Sequence, residues 1–408
     1  MFQLALLAAF IVCVSAAPRV CAQANDMNSL SSRQLLEDGT QAVRADRLNE
    51  AIDIFKEILR REPDNVAAHN NLAVCYKKSG MQAEAAREFA QAVSSNPTRW
   101  ELYNNLASAL IATGKCDEAL DAIYKGLRLK PDLPQFYANL GHVLYLKNDF
   151  DGAVTAFQQA ISLGLNTIDV RMQLGDALRC QQKYEQAALE YRACLSRLSD
   201  PVHKDDLQLR LAKALMGMGQ YDEAHRILSE MIEADAQDVD SLNCLGVVLL
   251  KMGHKPEAIF VLQKALKIDA TYPQARNNLG IVMFELGRYE DAIEVWKQAL
   301  TLKPDYPEAH YNMGVALYKS GLYKQSAEAF GECLKSARSD ARAQNNLGLA
   351  CYRLGQVDEA RGHWVKALEI DPQQEQAAGN LQKLDEAQTK NQKQNIDLDL
   401  DLDMDLNK

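Results

Sequence analysis

Positive charge is in short supply in this chain. Lys and Arg number 45 against 55 Asp and Glu, a formal net charge of −10. That balance argues against nucleic acid or an anionic membrane as the principal partner, because phosphate contact needs a basic surface. Outside the repeats described below, the single apolar run of note is Leu4 to Ala17, too short to span a bilayer comfortably. With Ala22-Gln23-Ala24 behind it as a small-residue cleavage site, the run predicts a signal peptide over residues 1–24. The mature chain is then expected in the bacterial periplasm or envelope, with no span of the membrane. No Asn-X-Ser/Thr sequon is usable, since Asn96 precedes Pro97, which favours that envelope over a eukaryotic secretory route.

Cysteine offers no framework either. Cys13 and Cys21 lack the small-residue context of a lipid-attachment site, and cleavage leaves Cys75, Cys116, Cys180, Cys194, Cys244, Cys333 and Cys351. An odd count at scattered positions is not a disulfide scaffold; these are read as reduced thiols used as small hydrophobes, one oxidised pair remaining compatible with export. Catalytic equipment is missing: there is no phosphate loop, nucleophile elbow, Cys-x-x-Cys or His-Glu-x-x-His. The pairs Asp117-Glu118, Asp222-Glu223, Glu290-Asp291 and Asp358-Glu359 are read as dipole-favouring residues early in helices, not as paired catalytic carboxylates. His69 and His310 share one repeat position and are read as packing residues. The chain is therefore expected to be no enzyme, with no cofactor and no metal.

What is present is a repeat of 34 residues, recurring ten times between Ser32 and Gln374. A small residue recurs at Gly39, Ala73, Ala107, Gly141, Gly175, Ala212, Gly246, Gly280, Gly314 and Gly348. Twelve residues on comes a second small one (Ala51 to Ala360, with Ser326 in repeat 9), and four further a bulky one, such as Phe55, Phe157, Trp296 or Trp364. Two small residues allow antiparallel helices to approach, and the bulky side chain is expected to fill space against the next repeat. Glycine marks seven of the ten inter-helix turns (Gly80, Gly114, Gly219, Gly253, Gly287, Gly321, Gly355), and Pro63, Pro97, Pro131, Pro304 and Pro372 close five repeats.

With Leu72-Ala73, Leu140-Gly141, Leu279-Gly280 and Leu347-Gly348, the pattern resembles the tetratricopeptide repeat (TPR) family over about 343 of 408 residues. The resemblance implies an all-α, right-handed TPR solenoid of about ten helix-turn-helix repeats. Residues 25–31 are a linker, 32–374 the ten repeats with an insertion near 199–204, 375–388 a capping helix and 389–408 a disordered acidic tail. Such a solenoid is one elongated domain, each repeat touching only its neighbours. Ala377, Ala378, Leu381 and Leu384 carry the helical spacing of the cap. The insertion, which includes Pro201, either bends the array or lengthens a loop.

In arrays of this family the first helix of each repeat lines the concave face. With the small residue counted as position 8, positions 2, 5, 6, 9, 12 and 13 form one stripe. Position 6 is Asn at Asn71, Asn105, Asn139, Asn278, Asn312 and Asn346; position 5 adds Asn70, Asn104, Asn243, Asn277 and Asn345. A carboxamide donates and accepts, and so is suited to hold an extended peptide backbone. The row resembles the asparagine ladder of the TPR array of O-linked N-acetylglucosamine transferases, whose catalytic domain is absent here. Gln173, Arg210 and Cys244 interrupt it, leaving two candidate segments, repeats 2–4 and repeats 8–10. The second has an apolar floor of Ile281, Phe284, Tyr311, Val315, Tyr318, Leu349 and Tyr352, with Lys251, Lys319 and Arg353 along its margin. It suits an extended ligand with hydrophobic and acidic side chains. The Lys and Asn that clamp chaperone C-termini in other family members are missing from positions 5 and 9.

The chain ends on a strict alternation, Ile396-Asp397-Leu398-Asp399-Leu400-Asp401-Leu402-Asp403-Met404-Asp405-Leu406. It reads either as a solubilising acidic tail or as a ligand for the groove, in this molecule or another. The functional expectation is a non-catalytic scaffold or adaptor in the cell envelope, its partners proteins or peptides, the tail among them. The alternatives are a structural subunit of a pilus or polysaccharide assembly machine, or a regulatory partner of a separate enzyme.

Overall fold

The computed structural model describes residues 30–198 and 203–389, together with Leu402 and Leu406. The expected signal peptide, most of the linker, the inserted residues 199–202 and the remainder of the tail lie outside the described residues. Among the described residues the secondary structure is helical throughout, in ten helix-turn-helix pairs followed by one further helix. No described helix is long and apolar enough to cross a membrane.

The chain divides between Ser199 and Asp200 into two compact units, at the inserted stretch, where the periodicity alone predicts one continuous domain. The first unit holds five repeats: α1 (Ser32–Arg44) and α2 (Leu48–Arg61), α3 (Val66–Lys78) and α4 (Gln82–Ser95), α5 (Trp100–Ala112) and α6 (Cys116–Leu129), α7 (Pro134–Leu146) and α8 (Phe150–Ser162), α9 (Ile168–Cys180) and α10 (Tyr184–Arg197). The second holds α11 (Lys204–Gly217) and α12 (Tyr221–Ala234), α13 (Val239–Lys251) and α14 (Lys255–Ile268), α15 (Pro273–Glu285) and α16 (Tyr289–Leu302), α17 (Pro307–Lys319) and α18 (Tyr323–Ser336), α19 (Ala341–Arg353) and α20 (Val357–Ile370), and the final α21 (Glu375–Thr389). Within each unit the first helix of a repeat packs on its own second helix and also meets the first helix of the adjacent repeat.

Local chemistry sets the helix ends. Ser31 and Gln34 form a reciprocal capping box at the start of α1. Asn65, Thr167, Asp238 and Asp340 accept from first-turn amides of α3, α9, α13 and α19. The acidic pairs at Asp117, Asp222, Glu290 and Asp358 fall in first turns, as their spacing predicts.

All ten turns between paired helices use the left-handed region. The seven turn glycines have φ between +71° and +84°, and the other three turns place Asp46, Asn148 and Gln182 there, at φ +57°, +61° and +59°. Asp and Asn tolerate that conformation through local hydrogen bonding; Gln has no such compensation. Gln182→Gly is therefore expected to stabilise the first unit by about 1 kcal/mol, measured as a shift in the urea midpoint at unchanged slope.

The small-and-bulky code is an intra-repeat lock. A Cβ placed on Gly280 would stand 2.6 Å from the Trp296 ring, one on Gly348 2.7 Å from Trp364, and one on Gly141 2.7 Å from Phe157. The expectation that the bulky residue fills space against the next repeat is corrected here. It lies against the glycine of its own first helix, because the antiparallel pair brings residues sixteen apart face to face. The small-to-small approach is close enough for the Ser326 hydroxyl to donate to the Gly314 carbonyl at 2.8 Å. Packing between repeats uses other residues: on α6, Gly126 makes room for Phe136 of the following repeat.

Asp38, polar where other repeats are apolar, is exposed on α1, and α21 closes the array with Ala377 and Leu384 buried. Ala378, counted with them in the sequence pattern, faces outward.

Candidate peptide-binding face

The first helices carry the stripe of interest, and the structure links it into rows. The side-chain amide of Asn105 donates to Asn70 Oδ1 at 3.0 Å, and that of Asn139 to Asn104 Oδ1 at 3.0 Å. In the second unit Asn278 donates to Asn243 at 2.8 Å, Asn312 to Asn277 at 3.1 Å, and Asn346 to the Tyr311 hydroxyl at 3.1 Å. Each bond joins position 6 of one repeat to position 5 of the repeat before it, 35 residues back. The carboxamides are thus already engaged with one another, a role the sequence did not show. Each of these five donors uses one side-chain N–H in this way, and Asn346 Oδ1 also accepts from Asn345 at 3.1 Å. Asn71 instead accepts from its neighbour Asn70, at 3.3 Å.

Exposure separates the members of the row. Asn71, Asn105, Asn139 and Asn278 are half-buried, whereas Asn277, Asn312, Asn345 and Asn346 are buried. The apolar floor of repeats 8–10 divides the same way. Phe284 is buried against Tyr289 and Trp296, and Tyr311 is buried against Phe330, with the Arg342 guanidinium 4.8 Å over its ring. These two are packing residues, so the open part of the expected floor is smaller than the pattern implies. Tyr318 and Tyr352 are half-buried, and Lys251, Lys319 and Arg353 are exposed beside them. Arg353 Nε donates to the Tyr318 hydroxyl at 3.2 Å, again 35 residues back.

Where the ladder is interrupted in the first unit, a polar recess of about 140 Å³ opens between His142, Tyr145, Phe157, Gln173 and Asp176. Asp176 accepts from the Tyr191 hydroxyl at 2.8 Å. Burial holds His142 below the ordinary imidazole range and pushes the Tyr145 phenol up. Sequence reasoning registered Gln173 only as a gap. The missed signal is position 9, polar at His142 and Asp176 but Ile281, Val315 and Leu349 in the last repeats.

Position 4 has the same structural task in five repeats. Tyr103, Tyr137 and Arg276 donate to the loop carbonyl six residues earlier, at 3.1, 2.9 and 2.7 Å, and a ring nitrogen of His69 and of His310 meets the carbonyl of Pro63 and Pro304. Both histidines therefore tie loops, in keeping with a packing role. No disulfide joins two of the seven described cysteines, five of which are buried, and burial raises Cys194 to about 11 and Cys333 to about 12. Among the described residues no cluster of His, Cys, Asp or Glu is arranged to hold a metal. Among the described residues the face offers hydrogen bonds, apolar contact and charge.

Comparison with known proteins agrees with this geometry. Sequence models described as tetratricopeptide repeat match residues 42–110, 178–242, 101–133, 138–200 and 311–375, and one described as TPR repeat matches 282–321. A model of anaphase-promoting complex, cyclosome, subunit 3 matches 218–299. Among curated proteins none matches this chain. The similar solved structures include a tetratricopeptide repeat protein from Parabacteroides merdae (18% identity, 62% of this chain and 98% of that one, TM-score 0.47). PilF of Pseudomonas aeruginosa is 17% identical over 52% of this chain and 94% of its own, with TM-score 0.44. MamA from Desulfovibrio magneticus is 22% identical over 42% and 96%, with TM-score 0.38. None of these matches ties the ladder to glycosyltransferases in particular. The repeat models together span more than half of the sequence, and the chain belongs to the tetratricopeptide repeat family.

Proposed function

We propose that this chain is a non-catalytic interaction module of the cell envelope that holds extended segments of partner proteins on the faces of its first helices. The observation that carries the reading is the bonded row of carboxamides within each unit, stiffened between repeats and half-exposed at Asn71, Asn105, Asn139 and Asn278. A stiff row of donors and acceptors lowers the ordering entropy of gripping a peptide backbone. In the second unit Tyr318 and Tyr352 supply apolar contact, and Lys319 and Arg353 favour acidic side chains. The expected signal peptide supports placement in the envelope.

The test is crosslinking and pull-down from envelope extract with the full mature chain, set against Asn105→Ala with Asn139→Ala and against Lys319→Glu with Arg353→Glu. Partners should be lost from at least one variant by tenfold or more, and the crosslinks should map to first helices. Retention of every partner by both variants excludes these faces as the binding surface. A partner held in fixed stoichiometry through second helices would instead indicate the structural-subunit role.

A further inference from the structure

One stretch of the chain has no place in the repeat code: the alternating Leu-Asp segment at its C-terminal end. We propose that this segment, Ile396–Leu406, is the resident ligand of repeats 9 and 10, docked on the face of the first helices of its own molecule. The inference deepens the peptide-binding reading above, and names the ligand class as an extended segment of alternating aliphatic and acidic residues.

Two observations point to its seat. Leu402 packs on the apolar cluster that includes Leu349, Cys351, Trp364, Ala377 and Leu384, drawn from α19, α20 and α21. Leu406, two residues from the end of the chain, is only 5% exposed. Leucines four apart lie on one face of an alternating strand, the face that also carries Leu398, Leu400 and Met404. Thirteen residue steps lead from Thr389 to Leu402. Extended, they span up to about 45 Å, ample to return past a 15-residue helix of about 22 Å.

The face of the first helices is more deeply buried in the last three repeats, repeats 9 and 10 among them. Position 9 is half-buried at Val74, Ser108, His142, Asp176, Lys213 and Val247, but 2% exposed at Ile281 and fully buried at Val315 and Leu349. Position 6 follows the same course, from half-buried Asn105 and Asn139 to Asn346 at 0%. Charge is complementary: five Asp residues (397, 399, 401, 403, 405) would meet Lys319, Arg342, Arg353 and Lys383, borne by α17, α19 and α21. Fixed to the same chain, the tail is present at a high effective concentration, so a foreign segment must displace it.

The experiment uses the full mature chain and endoproteinase Asp-N, which cuts before Asp, with loss of the tail followed by intact mass. Wild type should lose its tail at least tenfold more slowly than Leu402→Ser with Leu406→Ser. Lys319→Glu with Arg353→Glu should approach that faster rate, as should wild type in 0.5 M salt. The wild-type rate should not depend on protein concentration. Equal cleavage of wild type and the Leu-to-Ser variant overturns the proposal. Protection that grows with protein concentration also overturns it, assigning the tail to a neighbouring copy. Failure of the general binding reading leaves a different trace: a tail that is protected here while the pull-down returns no partner even from the Leu-to-Ser variant.

Discussion

Trp296→Ala is expected to destabilise the second unit by about 3–5 kcal/mol, the range for emptying a fully buried large aromatic site. The ring is 0% exposed and rests on Gly280, which has no side chain to move into the vacated space. Its Nε1–H also donates to the backbone oxygen and to Oδ1 of Asn277, each at 3.1 Å. Asn277 Oδ1 is in turn the acceptor for Asn312, so the loss reaches the row that joins repeats 8 and 9. In a linear array a weak repeat unfolds ahead of its neighbours. The readout is therefore urea unfolding by circular dichroism at 222 nm, with hydrogen exchange on α15 to α18. A loss under about 1 kcal/mol would refute the lock between Gly280 and Trp296.

Gly126→Val should lower the stability of the first unit by about 1–3 kcal/mol through overpacking. A Cβ there would stand 2.1 Å from Cζ of Phe136, and that ring is itself 0% exposed, held between repeats 3 and 4. Combining the change with Phe136→Leu should recover part of the loss, a non-additivity expected only of groups in contact. Gly331→Ala is the control. It lies within α18 with nothing within 4 Å of its would-be Cβ, and should gain up to about 1 kcal/mol from helix propensity. If Gly126→Val is as harmless as the control, the close approach of repeats 3 and 4 is wrong.

These two residues show what periodicity reveals and what it conceals. Gly280 and Trp296 stand in the repeating register, so their importance is legible in the sequence, although their pairing within one repeat is not. Gly126 stands at a position that is small in most repeats, as at Ala92, Ala160, Ala265, Ala299 and Ala367, but its partner Phe136 follows from the angle at which one repeat leans on the next, which no intra-helix spacing encodes. The same reasoning applies to the candidate site. The asparagines could be found by counting, but their bonds run 35 residues back, one more than the period, and so depend on how adjacent first helices are rotated. The polar recess at His142 and Asp176 was hidden because single departures from a repeat look like noise until a second repeat brings them together. The basic residues of the margin were legible, and so was the tail as a candidate ligand for the groove, whereas the contact of Leu402 in particular was not, since the tail has no counterpart in the repeats.

The carboxamide rows also have a direction. From Asn105 onward every Asn at position 6 donates to position 5 of the repeat before it, so a repeat with an acceptor at position 5 holds it ready for the next. Asn380, on α21 and 34 residues after Asn346, answers the last of these by donating to Asn345 at 3.0 Å. The final helix is thus half a repeat that ends the count without starting another. Whole units of 34 residues inserted or removed ahead of it would meet the same terminator, making the length of the array adjustable independently of how it is closed.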